Sequence, residues 1–186
     1  LADVLDLSGR ATSVVKLKEG VSLCSAVICR AHSDLVLVRS MGRLLRLPLN
    51  DSVLPKMGRL AQGPMTMRLL PGEALVGSLS IDVAETDPTL LLVSRKGQMT
   101  RIDLTPLRRC QRGDLGIMAV VLSADEDSVA GLCSGDSLAG IVTDQKRHGR
   151  LDINAVELTA AGQSWGDQLD LNSTEQVVSV VALKTS

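Results

Sequence analysis

The chain has 186 residues, 45% of them apolar, with 20 Lys and Arg against 21 Asp and Glu. That apolar content supports a packed core and argues against a disordered tail. A single Trp with no Phe or Tyr argues against readers of single strands that stack bases on aromatic rings, and no apolar run approaches the ~18 residues that span a bilayer.

The net charge of −1 conceals a split. Residues 30–112 carry 13 Lys and Arg against 7 Asp and Glu, whereas residues 113–186 carry 4 against 11. A basic middle followed by an acidic end leaves an anionic partner open for part of the chain.

The first residues, LADVLDLSGR, have no secretory pattern, so a soluble, cytoplasmic protein is expected. Residues 14–28, VVKLKEGVSLCSAVI, place Leu17, Gly20, Leu23 and Val27 at offsets that return at Leu69, Gly72, Leu75 and Leu79. This is the back half of a repeat. Cys24 and Cys29 fall on a predicted strand with their side chains on opposite faces, and Cys110 and Cys133 have no CxxC partner. Reduced thiols are expected, with neither zinc nor any other cofactor.

Residues 35–49, LVLVRSMGRLLRLPL, are matched by LLLVSRKGQMTRIDL at 90–104. Each is an apolar run, a glycine turn and a second run, which predicts a hairpin. Fifty-five residues separate Gly42 from Gly97, and Arg46 from Arg101. An Arg-x-x-x-Gly step follows in each unit, Arg59 to Gly63 and Arg112 to Gly116. A strand ending at Leu69 or Leu122 comes next, then an acidic turn (Gly72-Glu73 or Asp125-Glu126) and a last strand near 75–79 or 128–132. The third unit opens with LAGIVTDQKRHGRLDI, its turn glycine read as Gly149, and closes with Leu171, Glu175, Val177 and Val181 at the offsets of Leu69, Glu73, Leu75 and Leu79.

Four strands per unit of about 52 residues, without helical periodicity, predict an all-β, propeller-like ring of blades that bury their faces on one another. The units are a half blade at 1–29 and blades at 30–81, 82–135 and 136–186. Residues 1–8 could instead supply a strand that completes a ring.

Strand parity puts Leu45, Leu47 and Leu49 on one face and Arg46 on the other with Leu44, so Arg46 and Arg101 are expected to point outward. The turns add Arg39, Arg43, Arg95 and Lys96, and the loops add Lys56, Arg59, Arg108, Arg109 and Arg112. Placed along successive blades, these cations would form a curved basic track suited to the phosphates of duplex DNA. Taken singly, each also suits a solvated strand edge protected against pairing.

The order of hairpin glycine and arginine, Arg-x-x-x-Gly and Leu-x-x-Gly-Glu-x-Leu resembles the repeats of the C-terminal domain of bacterial type IIA topoisomerase A subunits, those of DNA gyrase and topoisomerase IV. The match is close in GRLAQGPMTMRLLPGEALVGSLSI, residues 58–81. The resemblance implies a β-pinwheel whose basic rim wraps duplex DNA, with Arg43, Arg46, Arg59, Lys96, Arg101 and Arg112 at rim positions. It also implies two protein partners, the catalytic core of the same subunit and the ATPase B subunit. The gyrase heptapeptide Gln-Arg-Arg-Gly-Gly-Lys/Arg-Gly is not intact: CQRGDLG at 110–116 keeps its second Arg, first Gly and last Gly. Gyrase and topoisomerase IV therefore both stay open.

No catalytic set emerges. Strand cleavage by this class needs a tyrosine, which the chain lacks, and no Gly-rich stretch has the P-loop Lys-Ser/Thr. His32 and His148 read as solvated loop residues, and Trp165 as a packing anchor. The competing reading is a protein-interaction propeller, although the Trp-Asp and glycine-doublet signatures of such proteins are missing. In the last unit Ile153 or a neighbour falls where Arg101 would, and Gly162 where Arg112 would. DNA is therefore expected to engage the middle blades and to leave the last one or be restrained by it.

Overall fold

The computed structural model describes residues 15–58, 61–82, 84–123, 127–134 and 138–183. Residues 1–8, the alternative ring-closing strand, and Arg59 lie outside the described residues. Apart from a single 3-10 turn at Ile153–Ala155, the regular structure described is β.

Each predicted hairpin forms. β1 (Asp34–Arg39) and β2 (Arg43–Pro48) pair antiparallel, and β3 (Leu75–Ile81) adds to the other side of β1. β4 (Thr89–Ser94), β5 (Gln98–Asp103) and β7 (Val129–Cys133) repeat the pattern, as do β8 (Leu138–Thr143), β9 (His148–Asp152) and β12 (Val177–Leu183). The turn glycines Gly42 and Gly97 sit at φ 78° and 84°, the left-handed region that glycine enters without a Cβ penalty.

The fourth strand departs from expectation. β6 (Ile117–Met118), from the second unit, pairs with β2 of the first sheet. β10 (Leu158–Thr159, parallel) and β11 (Asp167–Gln168, antiparallel), from the third unit, pair with β5 of the second. The outer strands of the first two sheets thus take their hydrogen-bonding partners from the following unit, which covers an otherwise exposed edge, whereas β9 ends its sheet among the described residues. Residues 61–70, where a strand ending at Leu69 was expected, form none.

The continuous apolar runs have a packing reason. In β4, Leu90 and Leu92 join a core with Val36, Val38 and Leu44 of the first sheet, while Leu91 and Val93 join a second core with Ala139, Ile141 and Val177 of the third. A middle sheet packed on both faces needs apolar residues at both parities. At ~1.5–3 kcal/mol for each large aliphatic side chain buried, these two inter-sheet cores supply the principal stabilisation. Trp165 packs against the first core. The innermost strands also touch: β7 lies between β3 and β12, and Gly131 faces Val180 at a distance that a Cβ would reduce to 2.6 Å.

Residues 15–30 form no strand but lie beside β3. Ser25 Oγ and Ser78 Oγ are 2.8 Å apart, the Cys24 thiol donates to the Leu75 carbonyl at 3.1 Å, and Arg30 pairs with Asp82 at 3.0 Å. The four cysteines are free thiols, Cys24 exposed and Cys29 half-buried, Cys110 and Cys133 buried. Burial pushes the Cys133 thiol up to about 11.

One carboxylate per sheet is buried at an equivalent place. Glu73 pairs with Arg39 and accepts from Leu70 N–H. Asp127 accepts from the N–H groups of Lys96 and Ser128. Glu175 accepts from Thr143 Oγ1 at 2.7 Å and pairs with Arg147 at 3.0 Å. The second of these corrects the sequence register, which set Glu126 opposite Glu73: Ser40 and Arg95 donate to the carbonyls of Ala74 and Ser128, so the residue matching Glu73 is Asp127.

Candidate nucleic-acid interface

The cations of the first two sheets fall into two groups once their partners are known. Arg39 is fully buried: it donates to the Arg68 carbonyl at 2.8 Å and is paired with Glu73. Burial pulls its pKa down, partly offset by Glu73. Its expected place on the rim is therefore corrected, because a buried guanidinium that already holds a carboxylate cannot meet an external phosphate.

Arg46 also departs from the outward orientation that parity suggested. Its side chain is 14% exposed; Nε donates to Asp34 Oδ2 at 2.7 Å, and Nη1 donates to the carbonyls of Leu104 and Leu107. Both faces of β2 are covered, so Arg46 clamps the first sheet to the loop that follows β5. Cys110 N–H adds a 2.7 Å bond to the Arg46 carbonyl in the same junction. Arg109 reaches the same carboxylate, with Nε 3.0 Å from Asp34 Oδ1, while its side chain stays 52% exposed.

The other group has no ion-pair partner among the described residues. Arg95 and Lys96 are exposed at the β4–β5 turn, and Lys56 and Arg108 are exposed on loops. Arg43 is half-buried and donates to the Gly116 carbonyl at 3.1 Å; Arg112 is exposed and donates to the Val53 carbonyl at 3.3 Å. Arg101 donates to Asn154 Oδ1 at 2.8 Å, and its buried Nε has no partner. Thr89 stands where Asp34 stands in the first sheet, so the carboxylate that neutralises Arg46 has no counterpart beside Arg101. The clamp at Asp34 brings Arg108, Arg109 and Arg112 of the second unit against the first sheet, and Arg112 touches the loop that carries Lys56.

In the second unit the Arg-x-x-x-Gly step has a steric cause, whereas a Cβ at Gly63 in the first would meet nothing within 4 Å. Gly116 lies at φ 76°, and a Cβ there would sit 2.3 Å from the Leu44 carbonyl oxygen. This glycine lets the exchanged segment approach β2 and so fixes the loop that presents Arg112.

The third sheet corrects the sequence register again. Gly42, Gly97 and Lys146 donate their N–H to Arg39, Ser94 and Thr143, so the turn position is Lys146, at φ 64°, while Gly149 lies inside β9. The pairs Val36 with Arg46, Leu91 with Arg101 and Gly140 with Arg150 then share one register. Arg150, and not Ile153, is the third copy of the repeated arginine. Aligning on the arginine rather than on the glycine finds it. His148, read as a loop residue, opens β9.

Among the described residues no three His, Cys, Asp or Glu are grouped to hold a metal ion, and no helix is long and apolar enough to cross a membrane. The side chains present can bind anions in series along neighbouring sheets.

Residues 41–82 and 88–132 match the family model described as "DNA gyrase C-terminal domain, beta-propeller". This part of the chain belongs to that family. The chain is 32% identical over 117 residues, 63% of its length, to the DNA gyrase A subunit of Mycolicibacterium smegmatis, and spans 14% of that protein. It is 28% identical over 167 residues, 88% of its length, to the DNA gyrase A subunit of Pseudomonas aeruginosa, and spans 17% of that one. A solved DNA gyrase A C-terminal domain superposes with a TM-score of 0.77 at 23% identity, covering 90% of this chain and 56% of the other. The C-terminal domain of DNA topoisomerase IV gives 0.72 at 20% identity, covering 81% and 46%. The fold is accordingly the β-pinwheel of these gyrase-type domains.

Proposed function

We propose that the chain is a non-catalytic domain that holds and bends duplex DNA for a type IIA topoisomerase, in cooperation with the catalytic core of the same polypeptide and an ATPase B subunit, in the bacterial cytoplasm. The observation that carries this reading is the sorting of cations. Arg43, Lys56, Arg95, Lys96, Arg101, Arg108 and Arg112 have no ion-pair partner among the described residues, whereas Arg39 and Arg46 are spent inside the fold. Any one of the seven suits a solvated edge; together, on and around two neighbouring sheets, they leave a positive surface that attracts a polyanion.

Each phosphate neutralised contributes about −0.9 to the slope of log K against log salt, so full use of these side chains gives a slope of roughly −6. Bending 20–30 base pairs through 40–90° costs about 1–6 kcal/mol, which several such contacts offset. The test is binding to a duplex of about 100 base pairs across a salt series. Steep, sequence-indifferent salt dependence supports the reading, and absence of binding at low salt overturns it. The Arg59 assignment belongs to the same proposal.

A further inference from the structure

We infer that the β8–β9 hairpin is an additional phosphodiester-binding site, with Lys146 and Arg150 as its contacts, so that DNA held on the first two sheets continues onto the third. This rests on the proposed function above and reverses the expectation that DNA leaves the last unit. Arg150 occupies the place of Arg46 and Arg101, and neutralisation at that place falls from sheet to sheet. Arg46 meets Asp34, Arg101 has Thr89 there and donates to Asn154, and Arg150 has Leu138 there and is exposed.

Lys146 stands at the hairpin tip in a left-handed backbone that costs a non-glycine residue about 1–2 kcal/mol. It is exposed and makes no ion pair among the described residues. Arg147 is engaged by Glu175 at 3.0 Å and by the Asp170 carbonyl at 2.7 Å, so it is not counted as a contact. Of this unit's carboxylates, Asp144 and Asp152 lie on the hairpin and Asp170 lies beside Arg147 and Arg150. Glu175 is buried, Asp167 accepts from Glu157 N–H away from the tip, and the hairpin's own Asp144 and Asp152 accept from the N–H groups of Gln176 and Asn154. With Arg147 spent on Glu175, Lys146 and Arg150 equal those two carboxylates in number, and both carboxylates are already engaged by backbone N–H groups.

The test compares the 186-residue chain with its Lys146→Gly, Arg150→Gln double variant on a duplex of about 100 base pairs. Lys146→Gly relieves the left-handed strain and restores the residue that the other two hairpins use, and Arg150 is exposed, so the melting temperature should not fall. Losing two contacts flattens the salt slope by about 1.8, so between 50 and 200 mM salt the wild type loses roughly tenfold more affinity than the variant. The hydroxyl-radical footprint should also shorten at one end. An Arg101→Gln, Arg112→Gln variant probes the first two sheets in parallel. If that variant flattens the slope while the hairpin variant matches wild type in slope and footprint, the third-sheet site is wrong and the proposed function stands. If wild type itself shows no salt-dependent binding, both fall.

Discussion

Replacing Arg46 by Ala should unfold the chain more readily without flattening the salt dependence of DNA binding, and Arg101→Ala should do the reverse. Arg46 holds Asp34, which is 1% exposed, and two carbonyls of the loop after β5. Removing one partner of a buried ion pair costs about 3–5 kcal/mol; because Arg109 remains on Asp34, we expect about 2–4 kcal/mol. For a chain of this size that lowers the melting temperature by about 5–15 °C. Arg101 has no carboxylate to abandon, and its truncation removes one bond to Asn154 together with an unsatisfied buried Nε, a loss of less than about 1 kcal/mol. Urea titrations of both variants and their duplex binding across a salt series separate the roles. The reasoning fails if Arg46→Ala costs under about 1 kcal/mol, or if it flattens the salt slope as much as Arg101→Ala does.

Gly131→Ala should destabilise by about 1–3 kcal/mol in urea titration, because its Cβ would lie 2.6 Å from the β-branched Val180; no change would contradict the close packing of β7 on β12. Glu175 has its carboxyl held below the ordinary 4.5 by the Thr143 hydroxyl, then by Asn172 N–H and the Arg147 charge, against an opposing contribution from burial. Its folded pKa lies below its unfolded one, so its stabilisation is complete above the unfolded value and disappears as pH falls through the folded value. Glu175→Gln should therefore be less stable at neutral pH and lose part of the acid sensitivity of wild type between about pH 5 and 3, retaining what Asp82 contributes. Parallel acid profiles would refute this. At about pH 8 a thiol reagent should label Cys24 in the native chain and reach Cys110 and Cys133 only on unfolding; native labelling of Cys133 would contradict its burial.

The hairpins were legible because their signals are local. Gly42 and Gly97 mark left-handed turns, and the runs around them carry apolar residues at both parities because the sheets pack face to face. The origin of the fourth strand was not legible, since β6 and β11 are two residues each and carry no periodic signal. The fate of each arginine depended on a residue distant in sequence. Arg39 is spent on Glu73 and Arg46 on Asp34, whereas Arg101 escapes because Thr89 replaces that aspartate. Arg150 was hidden because its turn uses Lys146 where the other two use glycine, and Gly149, inside the following strand, drew the register away.

The central claim is that the chain bends DNA around its basic sheets, and the most direct measurement is the topology of a relaxed plasmid nicked and closed in its presence. Wrapping predicts a topoisomer distribution that shifts steadily with protein added and returns to its starting position in the Arg43, Arg101, Arg108 and Arg112 to Gln variant. An unshifted distribution at protein concentrations that saturate binding would show that the chain holds DNA without bending it, and would contradict the account.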